Sequence, residues 1–445
     1  MIIVPKYIVT VDGKDRILKN HYVEIKDGQI VRIAKNDIQL FKKHKGDVYQ
    51  FENLTLIPGF VQTHIHLCQT LFRGLADNLE LLDWLQLRIF PFENAHNENS
   101  LIVSTILGIN ELLLSGTTTI LDMGTLRHQE VIFEELQHSG MRAIAGKCLI
   151  DENDLFPAFK SDTKTELDEI YQLAKTYHNT SNGKIKYGFS PRFVLSCSEK
   201  LLKESFEMKK DFPGSLYHTH SSENKNEIAE VKRRHSKENI EYFDSIGVID
   251  DHSVLAHCIH VNDKETNLLK KNNVRVSHCP SSNLKLGSGI ANIPKYLKQG
   301  ISVSLGADGA PCNNNLSIFN EMRLAALIQK PNHGPLAMDA KTVFKLATIE
   351  GAKALHLQSE IGSIEVGKKA DLTLLDLNTN LHSISESAES IYSDIVYSSS
   401  SESVNSVMVE GEWKVLNRKL LLYDEEELNK KSKEELKKLL KRVQK

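Results

Sequence analysis

Two histidines that could bind a metal ion stand at the end of the apolar run LIPGFVQTHIHL. They are His64 and His66, separated by one isoleucine. Residues two apart on a β-strand point to the same side, so both imidazoles can reach one cation. An H-x-H pair on a strand is therefore a candidate half of a metal site.

Later apolar runs end in further candidate ligands. HTHSSE contains His218 and His220, which share one face of their strand, so spacing alone does not decide which of them binds a metal. His257 follows in LAHCIH, His278 in SHCP and Asp308 in GADGA. Ionisable side chains are costly to bury unless they are paired or coordinated. Three imidazoles and one carboxylate suit Zn²⁺, with Fe²⁺ as the second candidate.

The elements that position these residues are short apolar strands separated by helical stretches. Strands that read as continuous apolar runs indicate a parallel sheet covered by helices. Repeats of this kind over about 300 residues predict an α/β fold with a closed (β/α)₈ barrel, whose catalytic groups gather at the carboxyl ends of the strands. The runs cover residues 56–67, 117–124, 142–150, 184–192, 214–222, 253–261, 274–282 and 301–310.

Short alternating strands before and after the barrel predict a small β-sandwich domain formed from both chain ends. The serine-rich segment 383–403 contains interleaved Ile, Tyr and Val, which favours partial order. The expected domains are residues 1–55 and 363–424 for the two parts of the β domain, 56–362 for the barrel, and 425–445 for a charged helical tail, solvated or packed on the protein.

Composition excludes several classes of protein. The 445 residues carry a formal net charge of −3, which gives no electrostatic reason to expect nucleic acid or a membrane surface as a partner. No signal peptide and no apolar stretch of about 20 residues is visible. Six scattered cysteines without a C-x-x-C pair indicate reduced thiols, and we expect a cytoplasmic homo-oligomer.

The ordered motifs PGFVQTHIHL, HTHSSE, LAHCIH, SHCPSSNLKLGSGI and LGADGAPCNNN resemble the branch of the amidohydrolase superfamily that deaminates adenosine, methylthioadenosine and S-adenosylhomocysteine. The resemblance covers nearly the whole chain. It includes LFRGLADNLELLDWLQLRIFPFE after the first strand and EIGSIEVGKKADLTLLDL near the C-terminus. It implies a hydrolase that uses one divalent metal, since the fourth strand has no lysine at the position that bridges a second ion in binuclear relatives.

The resemblance also implies roles for individual residues. The histidine of H-x-x-E that binds metal corresponds to His220, alongside the H-x-H pair and Asp308. Glu223 corresponds to the acid that protonates the purine ring, and His257 assists activation of water. We expect His278 to support the site without binding the metal itself. The residues implied to contact the substrate, or to form the pocket wall, are Trp84, Glu93, Arg192 and Cys312.

Several of these residues have ordinary structural explanations beside the functional ones. Trp84 lies in an apolar helical pattern and could be core, and Glu93 could be a surface carboxylate. Arg192 could bind a ribose hydroxyl, a purine carbonyl or a carboxylate, or could pair with a neighbouring acid. A nucleophilic role for Cys312 is disfavoured, because a metal-activated water already supplies the nucleophile.

The expected reaction is hydrolytic deamination of 5′-deoxyadenosine, methylthioadenosine, S-adenosylhomocysteine or adenosine, with release of ammonia and the inosine analogue. Two departures from the branch keep an alternative open. Ser190-Pro191-Arg192-Phe193 resembles the corresponding segment of guanine deaminases, and Cys312 stands where the branch commonly has serine. The alternative is a deaminase or chlorohydrolase of another ring, namely guanine, a pterin or an s-triazine.

Overall fold

A computed structural model describes residues 1–379 and 387–444. The chain divides into two compact units. The first contains Met1–Val61, Asn110–Thr119 and Ser317–Tyr423, and the second contains Gln62–Ile109, Ile120–Leu316 and Asp424–Lys445. Residues 383–386 of the serine-rich segment lie outside the described part, and from residue 387 onward this segment forms short helical turns.

Strands occur at both ends of the chain and alternate with helices between them. In chain order they are β1 Ile2–Val9, β2 Ile17–Lys19, β3 His21–Lys26, β4 Gln29–Lys35, β5 Val48–Pro58, β6 Phe60–His66, β7 Thr117–Asp122, β8 Arg142–Ala145, β9 Cys148–Leu149, β10 Ile185–Pro191, β11 Leu216–Ser221, β12 Ser253–His257, β13 Arg275–His278, β14 Ser302–Leu305, β15 Asp308–Gly309, β16 Leu372–Leu375, β17 Val404–Val409, β18 Glu412–Leu416 and β19 Lys419–Leu420.

The helices include several of only one turn. In chain order they are α1 Ile38–Lys43, α2 Leu81–Trp84, α3 Phe90–Asn94, α4 Glu98–Leu114, α5 Gln129–Ser139, α6 Thr163–Tyr177, α7 Thr180–Gly183, α8 Glu199–Met208, α9 Lys225–His235, α10 Asn239–Ile246, α11 Asp263–Lys271, α12 Pro280–Lys285, α13 Ile293–Lys298, α14 Ala310–Asn313, α15 Ile318–Leu327, α16 Lys330–His333, α17 Ala340–Leu346, α18 Ile349–Ala354, α19 Ile391–Ser393 and α20 Glu425–Val443.

The barrel is a parallel sheet with the strand order β14-β13-β12-β11-β10-β8-β7-β6-β15, and β9 pairs with β10. At one end of this order β14 pairs with β13, and at the other end β15 pairs with β6. Because β15 follows β14 directly in the chain, the sheet closes on itself. Every residue of β6, β7 and β12 is buried. Burial on both faces explains the continuous apolar runs, and the predicted barrel is confirmed.

The terminal strands form a second sheet in the order β19-β18-β17-β16-β5-β1-β3-β4, with β2 on β1. Leu374 of β16 pairs with Leu56 of β5, so strands from the two chain ends are direct neighbours. Ile3, Leu56 and Met408 belong to one buried cluster in this sheet. This arrangement confirms a β domain formed from both ends of the chain.

The C-terminal segment is a helix, α20, that packs within the second unit. Asp424 caps its first turn, and Leu428 and Leu439 are buried against Phe72 and Phe92. Only one face of the helix is buried and most other positions carry charged residues, which explains why the segment looks highly charged in sequence. Within residues 1–379 and 387–444, no helix combines the length and the apolar character needed to cross a membrane.

Candidate active site

Four side chains that could bind a metal ion meet at the carboxyl end of the barrel strands. His64 and His66 stand on β6, His220 on β11 and Asp308 at the start of β15. One ligand atom from each lies within 4.8 Å of the others. Nε2 of His64 and Nε2 of His66 lie 3.3 Å and 3.4 Å from Oδ1 of Asp308. The H-x-H alternation and the closure of the sheet between β15 and β6 together create this cluster.

Hydrogen bonds decide which ring nitrogen of each imidazole faces the cluster. Nδ1 of His220 lies 2.7 Å from the carbonyl oxygen of Arg192, which can only accept, so Nδ1 carries the proton and Nε2 turns its lone pair to the cluster. Nδ1 of His64 lies 2.9 Å from Nε2 of His218. If His64 donates in this bond, its own Nε2 is likewise available as a ligand. The structure thus places His220 in the cluster, whereas His218 lies outside it and contacts His64.

The chemistry of this donor set fits a divalent cation. Nε2 of His220 lies only 3.3 Å from Nε2 of His66. Two unprotonated nitrogens repel each other at this distance unless a proton or a cation lies between them. Burial holds the pKa of His66 and of His220 well below the ordinary value. Burial raises the pKa of Asp308, but its contacts with His64 and the neighbouring imidazoles lower the pKa by more, so the net shift is well downward. Neutral imidazoles and an ionised carboxylate are the forms that bind metals.

Glu223 and His257 face each other beside the cluster. Oε2 of Glu223 lies 3.4 Å from Nε2 of His257, and the same nitrogen lies 3.9 Å from Oδ2 of Asp308. Nδ1 of His257 donates to the amide oxygen of Asn283 at 2.8 Å, which orients the ring. His257 and Asp308 have left-handed backbone conformations, with φ of 71° and 62°. Such strain costs on the order of 1–3 kcal/mol per residue and is typical of functional sites.

The pair is suited to proton transfer near neutral pH. Burial raises the pKa of Glu223 to about 7, although the facing His257 acts in the opposite direction. Burial lowers the pKa of His257, but the carboxylates of Glu223 and Asp308 raise it more, so the net shift is upward. A carboxylic acid with a pKa close to ambient pH can both hold and release a proton.

Glu227, which the sequence did not single out, holds the turn that carries Glu223. Its Oε2 accepts hydrogen bonds from the backbone N–H of Glu223 at 2.9 Å and of Asn224 at 3.2 Å. Asn224 and Glu227 form the capping box of α9. The N-x-x-E spacing in ENKNE was the available signal, because it is the sequence signature of this cap.

A cavity opens above the cluster. One part of its wall is polar and contains His66, His220 and Asp308, and the other part is apolar. Trp84 is 4 % exposed and belongs to this wall, and its indole Nε1 has no hydrogen-bond partner among the described residues. The full lining consists of His66, Gln69, Leu81, Trp84, Leu85, Arg192, Phe193, His220, Glu223, Glu227, His257, Leu286 and Asp308.

Glu93 and Arg192 form a buried ion pair. Nη1 of Arg192 lies 2.8 Å from Oε2 of Glu93, and the two side chains are 4 % and 2 % exposed. The other carboxylate oxygen, Oε1, accepts a hydrogen bond from Nε2 of Gln69 at 2.8 Å. Among the described residues that line the cavity are Gln69 and Arg192 but not Glu93. The sequence did not single out Gln69, which follows His66 within one helical turn.

His278 and Cys312 lie beside these groups in buried positions. His278 ends β13, and burial lowers its pKa to about 3. Neither of its ring nitrogens has a hydrogen-bond partner within the described part of the chain. The thiol of Cys312, in α14, donates to the carbonyl oxygen of Gly309 at 3.0 Å, and burial holds its pKa well above the ordinary value. An un-ionised thiol is a poor nucleophile.

A (β/α)₈ barrel that gathers three imidazoles and a carboxylate at its carboxyl end defines a class of metal-dependent hydrolases. The chain belongs to the Amidohydrolase family, whose model matches residues 55–414.

The chain is similar to two deaminases in sequence and to a third in structure. The chain is 36 % identical to 5′-deoxyadenosine deaminase of Methanobrevibacter smithii, covering 96 % of this chain and 97 % of the relative. It is also 36 % identical to 5-methylthioadenosine/S-adenosylhomocysteine deaminase of Thermoanaerobacter pseudethanolicus, covering 83 % and 84 %. A zinc-bound crystal structure of an adenosine deaminase from Xanthomonas campestris superposes with a TM-score of 0.91 at 27 % identity, covering 99 % and 98 %.

Proposed function

We propose that the protein is a metal-dependent hydrolytic deaminase of an adenosine-like nucleoside. The observation that carries this proposal is the cluster of His64, His66, His220 and Asp308 at the base of a cavity that also holds Glu223. A deaminase needs a nucleophilic water on one side of the amino-bearing carbon and a proton donor for the neighbouring ring nitrogen. The names of the relatives and of the superposed structure support the nucleoside class.

A divalent ion bound by these four side chains would activate a water molecule as the nucleophile. We propose zinc, which three imidazoles and one carboxylate favour. His64 and His220 would present Nε2, since the hydrogen bonds at their Nδ1 atoms hold the rings in place. Hydrogen bonds of this kind fix the tautomer and the direction of a metal-binding histidine.

Two groups beside the cluster could take the proton that the nucleophilic water would give up. Oδ2 of Asp308 and Nε2 of His257 lie 3.9 Å apart at the base of the cavity, so either could take this proton. The bond from Nδ1 of His257 to Asn283 keeps the ring in place during this transfer. Each positioned proton-transfer group contributes roughly 10²–10⁴ in rate.

Glu223 would donate a proton to the ring nitrogen next to the attacked carbon. Its pKa of about 7 leaves a substantial protonated fraction at neutral pH. Glu227 holds the backbone of this residue through two N–H groups, so the carboxyl is presented from a rigid turn. The apolar wall formed by Leu81, Trp84 and Leu286 would hold the base and keep bulk water away.

A panel of substrates tests the proposal. Ammonia release would be measured for 5′-deoxyadenosine, methylthioadenosine, S-adenosylhomocysteine, adenosine, guanine and an s-triazine. We expect turnover of at least one of the four nucleosides by protein loaded with Zn²⁺, and none by the Glu223→Gln variant at comparable metal content. Turnover of guanine or the triazine alone would refute the nucleoside assignment.

A further inference from the structure

We propose that Glu227 and Asn239 form a positioning pair that fixes where the carboxyl group of Glu223 lies in the cavity. The pair acts through the backbone of Glu223, and we assign no contact with the substrate to either residue. This inference rests on the proposed function, because Glu223 is the group that would donate a proton to the substrate ring. It gives Glu227 a role beyond capping α9 and makes Asn239 a positioning residue.

The peptide bond between Ser222 and Glu223 is held at both of its polar groups. Its N–H donates to Oε2 of Glu227 at 2.9 Å. Its carbonyl oxygen accepts hydrogen bonds from the backbone N–H groups of Ile259 and His260 at 2.9 Å and 3.0 Å. Because opposite edges of one peptide plane are bound to two different segments, the plane cannot turn, and the Cα–Cβ bond of Glu223 keeps one direction.

Ser222 needs these bonds because its backbone is strained. It has a φ of 54°, in the left-handed region, and it is fully buried. A residue other than glycine keeps such a conformation only where surrounding contacts enforce it. If the bond to Glu227 were lost, we expect the turn to relax and the carboxyl of Glu223 to move from its place opposite His257.

The end of β12, which carries His257, is strained in the same way and is bound to the same turn. His257 and Cys258 have φ of 71° and 45°. The N–H of Cys258 donates to the carbonyl oxygen of Ser221 at 3.0 Å, next to the bonds made by Ile259 and His260. The two proton-transfer groups therefore stand on neighbouring strained turns, and the position of each depends on the other.

Asn239, the first residue of α10, fixes the carboxylate of Glu227. Its Nδ2 donates to Oε1 of Glu227, while Oε2 accepts from the N–H groups of Glu223 and Asn224. The amide nitrogen of Asn239 must face the carboxylate, because the carboxylate only accepts. The side chains of Asn239 and Glu227 are buried, with 0 % and 1 % exposure. Both carboxylate oxygens are thus bound to protein groups, which leaves the carboxylate one orientation.

A second helix cap of the same type shows what Glu227 does in addition to capping. Asn262 and Glu265 form the capping box of α11, with the same N-x-x-E spacing. Oε2 of Glu265 accepts from the N–H of Asn262 at 3.1 Å, and Oε1 accepts from the N–H of Ile240, also at 3.1 Å. In α9 the acid also binds the N–H of the residue before its cap, Glu223, and we assign the positioning role to that additional bond.

Kinetics of two matched variants test the proposal. Values of kcat and KM would be measured at equal zinc content for the nucleoside that the wild type deaminates best. We expect Glu227→Ala to lower kcat at least about tenfold and to change KM less than about threefold, because a misplaced proton donor affects the transition state rather than substrate binding. Glu265→Ala is the control, since Glu265 is equally buried and caps α11. It should lower thermal stability and keep kcat within about threefold of the wild type.

A reversed pair tests the hydrogen bond between the two residues. Asn239→Asp places two carboxylates against each other and should lower kcat at least about tenfold. In the double variant Glu227→Gln/Asn239→Asp the amide and the acid exchange places. The introduced glutamine keeps its oxygen toward the N–H of Glu223 and donates its nitrogen to the introduced aspartate. We expect kcat to return to within about threefold of the wild type, as coupling between two contacting residues requires.

Hydrogen exchange gives a measurement that does not need turnover. Mass spectrometry would follow amide exchange in peptides that cover residues 221–224. We expect Glu227→Ala to speed this exchange at least about tenfold, and the double variant to return it toward the wild-type rate. If the zinc-loaded wild type deaminates no nucleoside, the proposed function fails, and the same variants are then compared on guanine or the s-triazine. The exchange measurement tests the pair in either case.

Three results would overturn the proposal. If Glu227→Ala kept kcat within about threefold of Glu265→Ala, Glu227 would only cap α9. If exchange at residues 221–224 were unchanged in Glu227→Ala, the pair would not hold the turn. If the double variant stayed as slow as Asn239→Asp, the hydrogen bond between the two residues would not position Glu223. Should Glu227→Ala fail to fold, Asn239→Asp and the double variant carry both measurements.

Discussion

Replacing His218 by leucine tests how the metal cluster is held. His218 and His64 are fully buried, and Nε2 of His218 lies 2.9 Å from Nδ1 of His64. For His64 to offer Nε2 to a metal, its proton must sit on Nδ1 and be donated to His218. Leucine cannot accept that proton, so the ring of His64 loses its orientation and a buried N–H is left without a partner.

The size of the effect follows from this single bond. A buried donor left unpaired costs about 1–3 kcal/mol. Loss of the group that orients a metal-binding histidine lowers metal affinity by roughly 10–100-fold, which corresponds to about 1.4–2.8 kcal/mol. The free energy of the unpaired donor and the free energy of the lost metal affinity therefore fall in the same range. His220→Leu removes a ligand atom rather than its support, so we expect its loss of affinity to exceed about 100-fold.

Zn²⁺ affinity would be measured by competition with a chromogenic chelator, and metal content by elemental analysis. His218→Gln is the control, because its side-chain oxygen can replace the acceptor and should restore much of the affinity. The reasoning is refuted if His218→Leu loses its metal completely while His220→Leu retains it. That outcome would exchange the roles of the two histidines.

Three further predictions concern chemistry and stability. Because Glu223 must be protonated to act and burial raises its pKa to about 7, the active form is present below that pH and lost above it; kcat/KM should therefore fall above about pH 7, by roughly tenfold per pH unit, whereas a flat profile to about pH 9 would contradict the assignment. Removal of the metal by a chelator should abolish ammonia release, and Zn²⁺ should restore it; full turnover by metal-free protein would exclude the proposed mechanism. Leu439→Ala, in the buried face of α20, should lower the free energy of unfolding in urea by about 2–5 kcal/mol. Leu421→Ala, at a position 56 % exposed, should change it by less than about 0.5 kcal/mol, and equal effects would show that α20 contributes no core.

Local patterns in the sequence were sufficient for the fold class. Strands buried on both faces are rich in apolar and β-branched residues, so the barrel strands are visible in the sequence as short apolar runs between helical stretches. The positions of the candidate ligands at the ends of those runs follow from the same pattern. His64 and His66 share a face because the period of a strand is two, whatever the rest of the protein does.

Long-range contacts could not be predicted from these local sequence patterns. Glu93 is 24 residues from Gln69 and 99 from Arg192, and nothing in their spacing predicts that one carboxylate holds both. The choice between His218 and His220 has the same origin. Alternation places both on one face of β11, and their different depths relative to β6 depend on how the neighbouring strands are staggered.

The amino-acid sequence by itself determined the order of strands and helices, because hydrophobic periodicity is a local property. It also determined which ionisable residues end the barrel strands. Only the tertiary structure decided which of these groups form the cluster of candidate metal ligands and which hold those ligands in place. It also decided which polar side chains line the cavity. Those decisions depend on distances between residues brought together by closure of the sheet, and such distances are set by packing of the whole barrel rather than by any neighbouring stretch of chain.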